Sequence, residues 1–215
     1  MKKLDIIYED KELLVVNKPA HKLTIASNKT KYNTLYHEAR EYVKKQNPKN
    51  KIFIVHRLDE QTSGVVLFAK SEKIKHLLQD NWDSYKREYI AVVEGHLDKK
   101  KDTLKYYLKE SKTLEVYVTK DKKDSKLAIT NYEVIKENKD TSVLNIDIQT
   151  GRKNQIRVSL AYVGNPIIGD KKYHAKTNPL KRLGLHASRL VIVNPLTKKE
   201  MEFVAKTPKS FEKYI

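Results

Sequence analysis

Residues 52–69 of the chain read IFIVHRLDEQTSGVVLFA. Two apolar segments, 52–55 and 65–69, enclose the polar link HRLDEQTSG at 56–64. Short apolar runs next to turn-forming residues predict buried strands. Loops that are held between strands often carry binding and catalytic groups, so we expect this link to carry function.

Asp59 is the candidate catalytic residue of the link. Arg57 precedes it and Thr62 follows it, so basic and hydroxyl groups flank the acid. A structural alternative is that Asp59 forms an Asx turn, helped by Gly64. Glu60 is adjacent, but neighbouring side chains of an extended chain point to opposite sides, so the two acids do not automatically act as a pair. The link by itself does not name a reaction.

The rest of the chain reads as many strands and a few helices that do not alternate regularly. Helices are predicted at 34–46 after a cap at Asn33, at 72–78 after a cap at Ser71, and at 152–163 before Gly164. Further strands are predicted at 4–8, 13–18, 88–93, 114–119, 127–135, 143–148, 190–193 and 201–205, with loops at 98–102 and 120–124. This pattern predicts an α+β fold: a single domain over residues 1–215 with a mainly antiparallel or mixed β-sheet flanked by helices and loops.

Composition points to a polyanion partner. The 215 residues include 44 Lys and Arg against 27 Asp and Glu, which gives a formal charge of +17. Such an excess is typical of proteins that bind nucleic acid. The chain has no cysteine, which excludes disulfides and thiolate metal sites. It also has no apolar run of about 18 residues, so we expect no transmembrane helix and a cytoplasmic location.

Several cofactor classes lack their motifs. The six glycines form neither GxGxxG nor GxxxxGK[ST], so a dinucleotide fold and a P-loop are not indicated. The seven histidines include no HExxH pair. We therefore expect neither a nucleotide cofactor nor a metal.

A basic segment follows the predicted sheet. From Arg152 to Arg189 there are nine basic residues and one acid, Asp170. Charge runs often form a solvated face, but Arg152 and Arg157 would start an amphipathic helix whose N-terminal amides attract phosphate. We expect this segment to contact nucleic-acid phosphates. The candidate residues are Arg152, Lys171, Lys172, Lys181 and Arg182.

Four ordered motifs carry a family resemblance: HRLDEQTSG at 56–64, KREYIAVVEG at 86–95, TGRKNQIR at 150–157 and GLHASRL at 184–190. Together they resemble the RluA-type pseudouridine synthases, over a span that begins at NKPA, residues 17–20. Asn154 and Ser159 occupy positions where histidines are common in that family. Many relatives carry an S4-type RNA-binding domain, for which we expect no room here because the pattern begins near Met1.

The resemblance implies the pseudouridine synthase fold with an active-site cleft, and isomerisation of uridine in RNA to pseudouridine without a cofactor. Asp59 matches the essential carboxylate, which either attacks the sugar or uracil covalently or removes a sugar proton to form a glycal. Arg157 matches its basic partner, and Tyr89 matches the tyrosine that stacks on the base. His56, Arg57 and Thr62 match the loop that engages neighbouring nucleotides.

The expected partner is ribosomal or transfer RNA, bound by a monomer. An RNA-binding or chaperone module with little catalysis is the alternative, although binding alone does not require the set of Asp59, Tyr89 and Arg157. A carboxylate-based nuclease or glycosidase is less favoured, because no paired acids or metal ligands are evident.

Overall fold

The computed structural model describes residues 4–26 and 33–215 of the chain. Its strands in these ranges are β1 (Ile6–Glu9), β2 (Leu13–Lys18), β3 (Phe53–Ile54), β4 (Ser63–Ala69), β5 (Lys86–Glu94), β6 (Lys101–Glu110), β7 (Val116–Thr119), β8 (Lys126–Asn138), β9 (Thr141–Ile148), β10 (Leu185–Val193) and β11 (Glu200–Val204). Its α-helices are α1 (Leu35–Gln46), α2 (Glu72–Asp80) and α3 (Gln155–Tyr162). Long antiparallel strands with few helices confirm the predicted α+β class.

The chain divides into two compact units. The first contains the residues up to Tyr85 together with Ala187–Lys206. In it, β2 pairs with β1 and β4, β3 pairs with β4, and β10 forms a hairpin with β11, all antiparallel. Leu67 of β4, Ile74 of α2 and Leu190 of β10 meet in one buried apolar cluster. Every residue of β4 is buried, so the polar link that precedes it leads directly into the core.

The second unit contains Lys86–His186 and Thr207–Ile215. Its strands follow the antiparallel order β5–β9–β8–β6–β7. Ile156 and Leu160 of α3 join Leu144 of β9 in the buried cluster of this unit. The helix therefore covers the sheet with apolar side chains, which also fixes the TGRKNQ segment that leads into it.

The start of one helix is set by a threonine. The Thr34 hydroxyl accepts a hydrogen bond from the backbone N–H of His37 at 3.2 Å and caps α1, so the predicted cap at Asn33 is wrong by one residue. Ser71 caps α2 as predicted, through the N–H of Ile74 at 3.3 Å. None of the helices in ranges 4–26 and 33–215 is long and apolar enough to cross a membrane.

The helix at the end of the TGRKNQIR motif is shorter than predicted. α3 begins at Gln155 because Asn154 has a left-handed φ of 53°, a conformation that a right-handed helix does not include. Arg152 therefore lies before the helix, and the expectation that Arg152 and Arg157 share its first turns is wrong. Residues 155–160 are all buried, so α3 is not amphipathic either. This arrangement removes the predicted contribution of helix amides to phosphate binding beside Arg152.

One strand was not expected from the sequence. β6 begins at Lys101 inside the predicted loop 98–102 and runs to Glu110. Its buried leucines, Leu104 and Leu108, are four residues apart and so lie on one face of the strand. The strand pairs with β8 on one side and with β7 on the other, and these cross-strand contacts stabilise the extended form.

Candidate active site

In the link, a buried threonine hydroxyl fixes the backbone of Leu58, the residue before Asp59. The Thr24 side chain, 3% exposed, donates to the carbonyl of Leu58 at 2.8 Å and accepts from the N–H of Leu58 at 3.2 Å. One hydroxyl can serve as donor and acceptor at once. Both backbone polar groups of Leu58 are thereby satisfied, and the chain direction at Asp59 is set from its N-terminal side.

A buried lysine fixes the residue after Asp59. Lys18 is 0% exposed, and its ammonium donates to the carbonyl oxygens of Lys22 at 2.6 Å, Glu60 at 3.0 Å and Pro19 at 3.1 Å. A buried charge is tolerated only when polar groups solvate it, which these carbonyls do. Lys18 thus connects the end of β2 to the link, and Asp59 lies between two anchored neighbours.

His56 anchors the start of the link. Its Nε2 accepts a hydrogen bond from the N–H of Leu67 at 3.0 Å, and its ring stacks on Trp82 with centroids 4.4 Å apart. An accepting Nε2 requires that this nitrogen carry no proton, so the geometry fits the neutral ring. These contacts give His56 a positioning role, and its predicted contact with RNA stays a prediction.

Asp59 begins a tight turn. Its carbonyl accepts from the N–H of Thr62 at 3.1 Å, while its side chain is half-buried. Arg57 is exposed and can meet an RNA phosphate directly. Thr62 is only 2% exposed, so a contact between its side chain and RNA requires the link to move.

Gly64 ends the link where two backbones approach closely. Its φ is +121°, and a Cβ there would lie 2.1 Å from the carbonyl oxygen of Ala187. No other residue fits this position without displacing β10 from β4. The glycine therefore sets the point at which the link enters the core.

In the second unit, β5 presents Arg87 and Tyr89. The two are separated by one residue, so they point to the same side of the strand. Arg87 is 4% exposed, and its Nη2 donates to the carbonyl of Gln149 at 2.9 Å. A Cβ at Gly151 would lie 3.3 Å from Nη1 of Arg87, so the glycine lets the TGR turn pack on this side chain. Tyr89 is half-buried and packs against the core of this unit.

Arg157 is oriented by Asp170. Nε and Nη2 of the guanidinium donate to Oδ2 and Oδ1 of the carboxylate, each at 2.7 Å. The arginine side chain is 7% exposed and the aspartate 0%, so the pair is buried. Cζ of Arg157 also lies 5.2 Å from the centroid of the Tyr173 ring. The planar fork of arginine is held in one orientation, which a lysine could not reproduce.

Gln155 connects the TGR turn to the sheet. Its Oε1 accepts from the Thr150 hydroxyl at 2.7 Å and from the N–H of Arg152 at 3.0 Å. Its Nε2 donates to the carbonyl of Ile129 and to the Thr130 hydroxyl, each at 3.0 Å. The amide uses both of its ends, so the turn before α3 is fixed to β8.

The ammonium of Lys172 is hydrogen-bonded within the second unit. Its ammonium donates to Oδ1 of Asn154 at 3.2 Å, and the Tyr173 hydroxyl donates to the same oxygen at 3.3 Å. Asn154 therefore organises the 171–173 turn as well as the start of α3. Its role explains why an amide with a left-handed backbone suits this position.

Arg182 is half-buried rather than freely exposed. Its guanidinium donates to the carbonyls of Leu183 at 3.1 Å and Leu185 at 3.2 Å and lies 5.3 Å from the centroid of the Phe211 ring. Burial lowers the pKa of Arg182. These contacts tie the C-terminal segment to the unit, so we expect much of the effect of removing Arg182 to fall on stability.

The other predicted phosphate contacts remain accessible. Lys171 and Lys181 are exposed, and so is Arg152, whose Nε donates to the carbonyl of Leu127 at 3.1 Å. Lys171 and Lys181 therefore offer the freest charge of the predicted basic segment, which makes them the direct test of an RNA contact.

The predicted catalytic residues belong to both units, Asp59 to the first and Tyr89 and Arg157 to the second. A carboxylate and a phenol can exchange protons, and a guanidinium can stabilise negative charge. In ranges 4–26 and 33–215, no group of three or more His, Cys, Asp or Glu is placed to hold a metal ion.

The sequence did not identify several supporting residues of the candidate site, among them Lys18 and Asp170. Lys18 lies at the end of an otherwise apolar strand, LLVVNK, where an inward-pointing lysine is uncommon. Asp170 is the only acid among the basic residues of 152–189, and this isolation was the available signal. Neither signal shows which group the residue binds, because the groups bound by Lys18 and Asp170 are distant in sequence or lie on another element.

Comparisons with known proteins identify the family of this chain. The chain matches the family model described as RNA pseudouridylate synthase over residues 12–162. It is 31% identical to an uncharacterized RNA pseudouridine synthase, YjbO, of Bacillus subtilis, covering 99% of this chain and 75% of the relative. It is 33% identical to the dual-specificity RNA pseudouridine synthase RluA of Haemophilus influenzae, covering 95% of this chain and 93% of the relative.

A further relative and two solved structures extend the match. Ribosomal large subunit pseudouridine synthase C of Rickettsia prowazekii is 34% identical over 98% of this chain and 70% of its own length. The human RNA pseudouridylate synthase domain containing 4 has a TM-score of 0.81 at 21% identity, covering 97% of this chain and 92% of the human chain. The human domain containing 1 has a TM-score of 0.77 at 22% identity, covering 96% and 84%. At this identity the two structures show the fold alone.

Charge and composition suggested a nucleic-acid partner, and the ordered motifs and the sequence relatives identify the family. The family match covers well over half of the chain, and the relatives are similar along almost all of it. The chain belongs to the RluA-type family of RNA pseudouridine synthases, the isomerases that convert uridine in RNA to pseudouridine.

Proposed function

We propose that this chain modifies specific uridines of ribosomal RNA, or of transfer RNA, with Asp59 as the catalytic carboxylate. The observation that carries this assignment is the double anchoring of the residues on either side of Asp59. Thr24 holds Leu58, and Lys18 holds Glu60. A catalytic group needs a fixed backbone because small displacements of a reacting atom lower the rate steeply.

The proposed reaction is an isomerisation, so its atoms balance within the substrate. The bond between N1 of uracil and C1′ of the ribose breaks, the uracil turns over, and a bond forms between C5 and C1′. C5 loses its proton, and N1 ends with one. A carboxylate at Asp59 suits either open route, because it can attack as a nucleophile or remove a sugar proton.

We assign supporting roles to Tyr89 and Arg157. The aromatic ring of Tyr89 is suited to stack on the base and to assist removal of the C5 proton. Arg157, by the family pattern, is the basic partner of Asp59 and would orient its carboxylate by hydrogen bonds. Asp170 is the positioning residue of this arginine, since it holds two of the guanidinium nitrogens.

The substrate proposal rests on charge and on the relatives. The formal charge of +17 suits a polyanion, and the Rickettsia relative is named as an enzyme of the large ribosomal subunit. We infer that His56, Arg57, Thr62, Arg152, Lys171, Lys172, Lys181 and Arg182 form or support the RNA contact. We also propose that the 215-residue chain acts as one catalytic domain, as a monomer, in the cytoplasm where its RNA is found.

The test is transcript-wide mapping of pseudouridine in a strain that lacks the gene. We expect defined sites to disappear and to return with the unsubstituted gene but not with Asp59→Asn. Persistence of every site in the deletion strain would contradict the function.

Glu60→Gln is the matched control for that experiment. It removes the neighbouring, exposed carboxylate and leaves the Glu60 carbonyl that Lys18 holds. We expect Glu60→Gln to restore the sites fully. Equal failure of both variants would show that charge on the link, rather than Asp59, is what matters.

A further inference from the structure

A cavity in the first unit is lined by positive charge. It has a volume of about 630 Å³ and lies between α1, β3, the connection that joins them, and α2. Its cations are Arg40, Lys44, Lys49, Lys51 and Lys75, and none of its lining residues is an acid. We call this cavity the basic groove. No lysine of the 152–189 segment lines it.

The face of α1 that lines the groove is distinct from the face that pairs with acids. Tyr36, Arg40 and Lys44 follow each other at intervals of four and so share one side of the helix. Tyr42 and Gln46 lie on the opposite side, where both bind the carboxylate of Glu9, at 2.7 Å and 3.2 Å. Glu9 of β1 is thus engaged away from the groove.

The cations of the groove have no carboxylate partner among residues 4–26 and 33–215. Glu38, the acid that precedes Arg40 on α1, pairs instead with Lys22. Like charges around a concave surface repel each other and raise the local potential for anions. Lys44 also interacts favourably with the C-terminus of α1, which explains that one residue but not the others.

Aromatic and backbone groups complete the groove. The Tyr36 hydroxyl donates to the carbonyl of Ile52 at 3.4 Å, which holds the ring against the start of β3. Phe53 also lines the groove and is half-buried. Positive charge that follows a backbone, combined with aromatic surface, is the composition of sites for single-stranded nucleic acid.

The groove is close to Asp59 along the chain. Four residues lie between Ile54, which lines the groove, and Asp59, and the five steps of a fully extended chain span at most about 18 Å. A few nucleotides of RNA cover such a distance, so one RNA strand can reach both places.

We propose that the basic groove is a second RNA-binding site, which holds the sugar–phosphate backbone of a strand that flanks the modified uridine. This inference rests on the proposed function, because it takes RNA as the substrate. It assigns to α1 and β3 a contact that the family motifs do not include.

The test compares two triple variants of the full chain with equal change in charge. Arg40→Gln, Lys49→Gln and Lys51→Gln remove exposed cations of the groove, whereas Lys73→Gln, Lys199→Gln and Lys206→Gln remove exposed lysines elsewhere in the same unit. Both sets are made in the Asp59→Asn background so that no turnover occurs. Binding to a labelled single-stranded RNA of mixed sequence is measured by fluorescence anisotropy over a series of salt concentrations.

We expect the groove triple to weaken RNA binding about tenfold or more and to lower the slope of log Kd against log salt by about two to three. The control triple should change Kd by less than about twofold. Equal effects of the two triples, or an unchanged slope in the groove triple, would overturn the proposal. Thermal unfolding of each variant shows whether the substitutions have altered the fold.

Protection from acetylation gives a second measurement on the unsubstituted chain. Bound RNA should protect Lys49 and Lys51 from an acetylating reagent and leave Lys73 reactive. If inorganic phosphate alone protects them equally, the groove binds small anions and the RNA assignment is wrong.

The two proposals can fail separately. If the unsubstituted chain forms pseudouridine but the groove triple binds RNA normally, the groove proposal is wrong and the proposed function is unaffected. Groove-dependent RNA binding by a chain that makes no pseudouridine would contradict the proposed function and support the groove.

Discussion

Both carboxylate oxygens of Asp170 accept hydrogen bonds from the guanidinium of Arg157, each at 2.7 Å, in a place where the aspartate is 0% exposed. Asp170 also accepts from the N–H of Tyr173 at 3.3 Å. The pair fixes α3 to the turn at 171–173. A buried ion pair holds its geometry tightly, since a separated charge in the interior has no other compensation.

Asp170→Asn should destabilise the protein. The substitution keeps the shape but leaves the Arg157 charge buried without its counter-charge, at a cost of about 3–5 kcal/mol. Unfolding in urea measures the change. Glu202→Gln is the control, because the pair of Glu202 with Arg189 is partly exposed and should contribute less than about 1 kcal/mol. A loss at Asp170 no larger than in the control would show that the pair does not stabilise the fold.

Lys18→Met should lower both stability and activity. It leaves the carbonyls of Pro19, Lys22 and Glu60 without the ammonium donor, which costs about 3 kcal/mol or more. The link next to Asp59 then loses one anchor, so turnover should fall even where the variant is fully folded. Denaturant unfolding and single-turnover rates measure the two effects.

Lys22→Met is the comparison for that variant. Its ammonium pairs with Glu38 at a partly exposed position, so the loss should be below about 1 kcal/mol. A folded Lys18→Met protein with a normal rate would remove Lys18 from the support of the site.

Gly64→Ala should be severely destabilising. The added Cβ would lie 2.1 Å from the Ala187 carbonyl oxygen at a φ of +121°, and the clash and strain together cost about 3 kcal/mol or more. Gly164→Ala tests strain alone, because φ is +89° there and nothing lies within 4 Å of a Cβ, so it should cost about 1 to 2 kcal/mol. Similar midpoints of unfolding for the two variants would contradict the close approach of β4 and β10.

Lys171→Gln with Lys181→Gln should weaken RNA binding and lower its salt slope by about one to two, because both side chains are exposed. Arg182→Gln should instead lower the unfolding midpoint, because its guanidinium bonds two carbonyls and lies over Phe211. Anisotropy titrations and thermal melts separate the two. RNA binding that does not respond to the lysine pair would exclude them from the contact.

The sequence predicted those strands and helix ends that depend on the local pattern of residues. The buried strand β4, the hairpin of β10 and β11, and the cap at Ser71 follow from apolar runs and capping chemistry. The strand β6 did not follow, because its start lies in a lysine-rich stretch that reads locally as a loop, whereas pairing with β7 and β8 makes it extended.

In the candidate site, too, local sequence predicted some features and the folded backbone determined the others. The ordered motifs identified the polar link and its family, since they depend on residue type and order. The partners of Lys18 and Arg157 depend on the folded backbone: Lys18 reaches a carbonyl 42 residues away, and Arg157 reaches Asp170 from another element. A count of charges cannot show which basic side chains are already bound within the second unit, as those of Arg157, Lys172 and Arg182 are. Nor can it show that Lys171 and Lys181 are exposed.

The central claim is that Asp59 is the catalytic carboxylate, and the most direct test is the single-turnover rate of pseudouridine formation on the RNA that the deletion strain identifies. Asp59→Asn should lower this rate by a factor of about 10³ or more with RNA binding retained, while Glu60→Gln should stay within about twofold of the unsubstituted chain. Pseudouridine formed by Asp59→Asn at the unsubstituted rate would contradict the account.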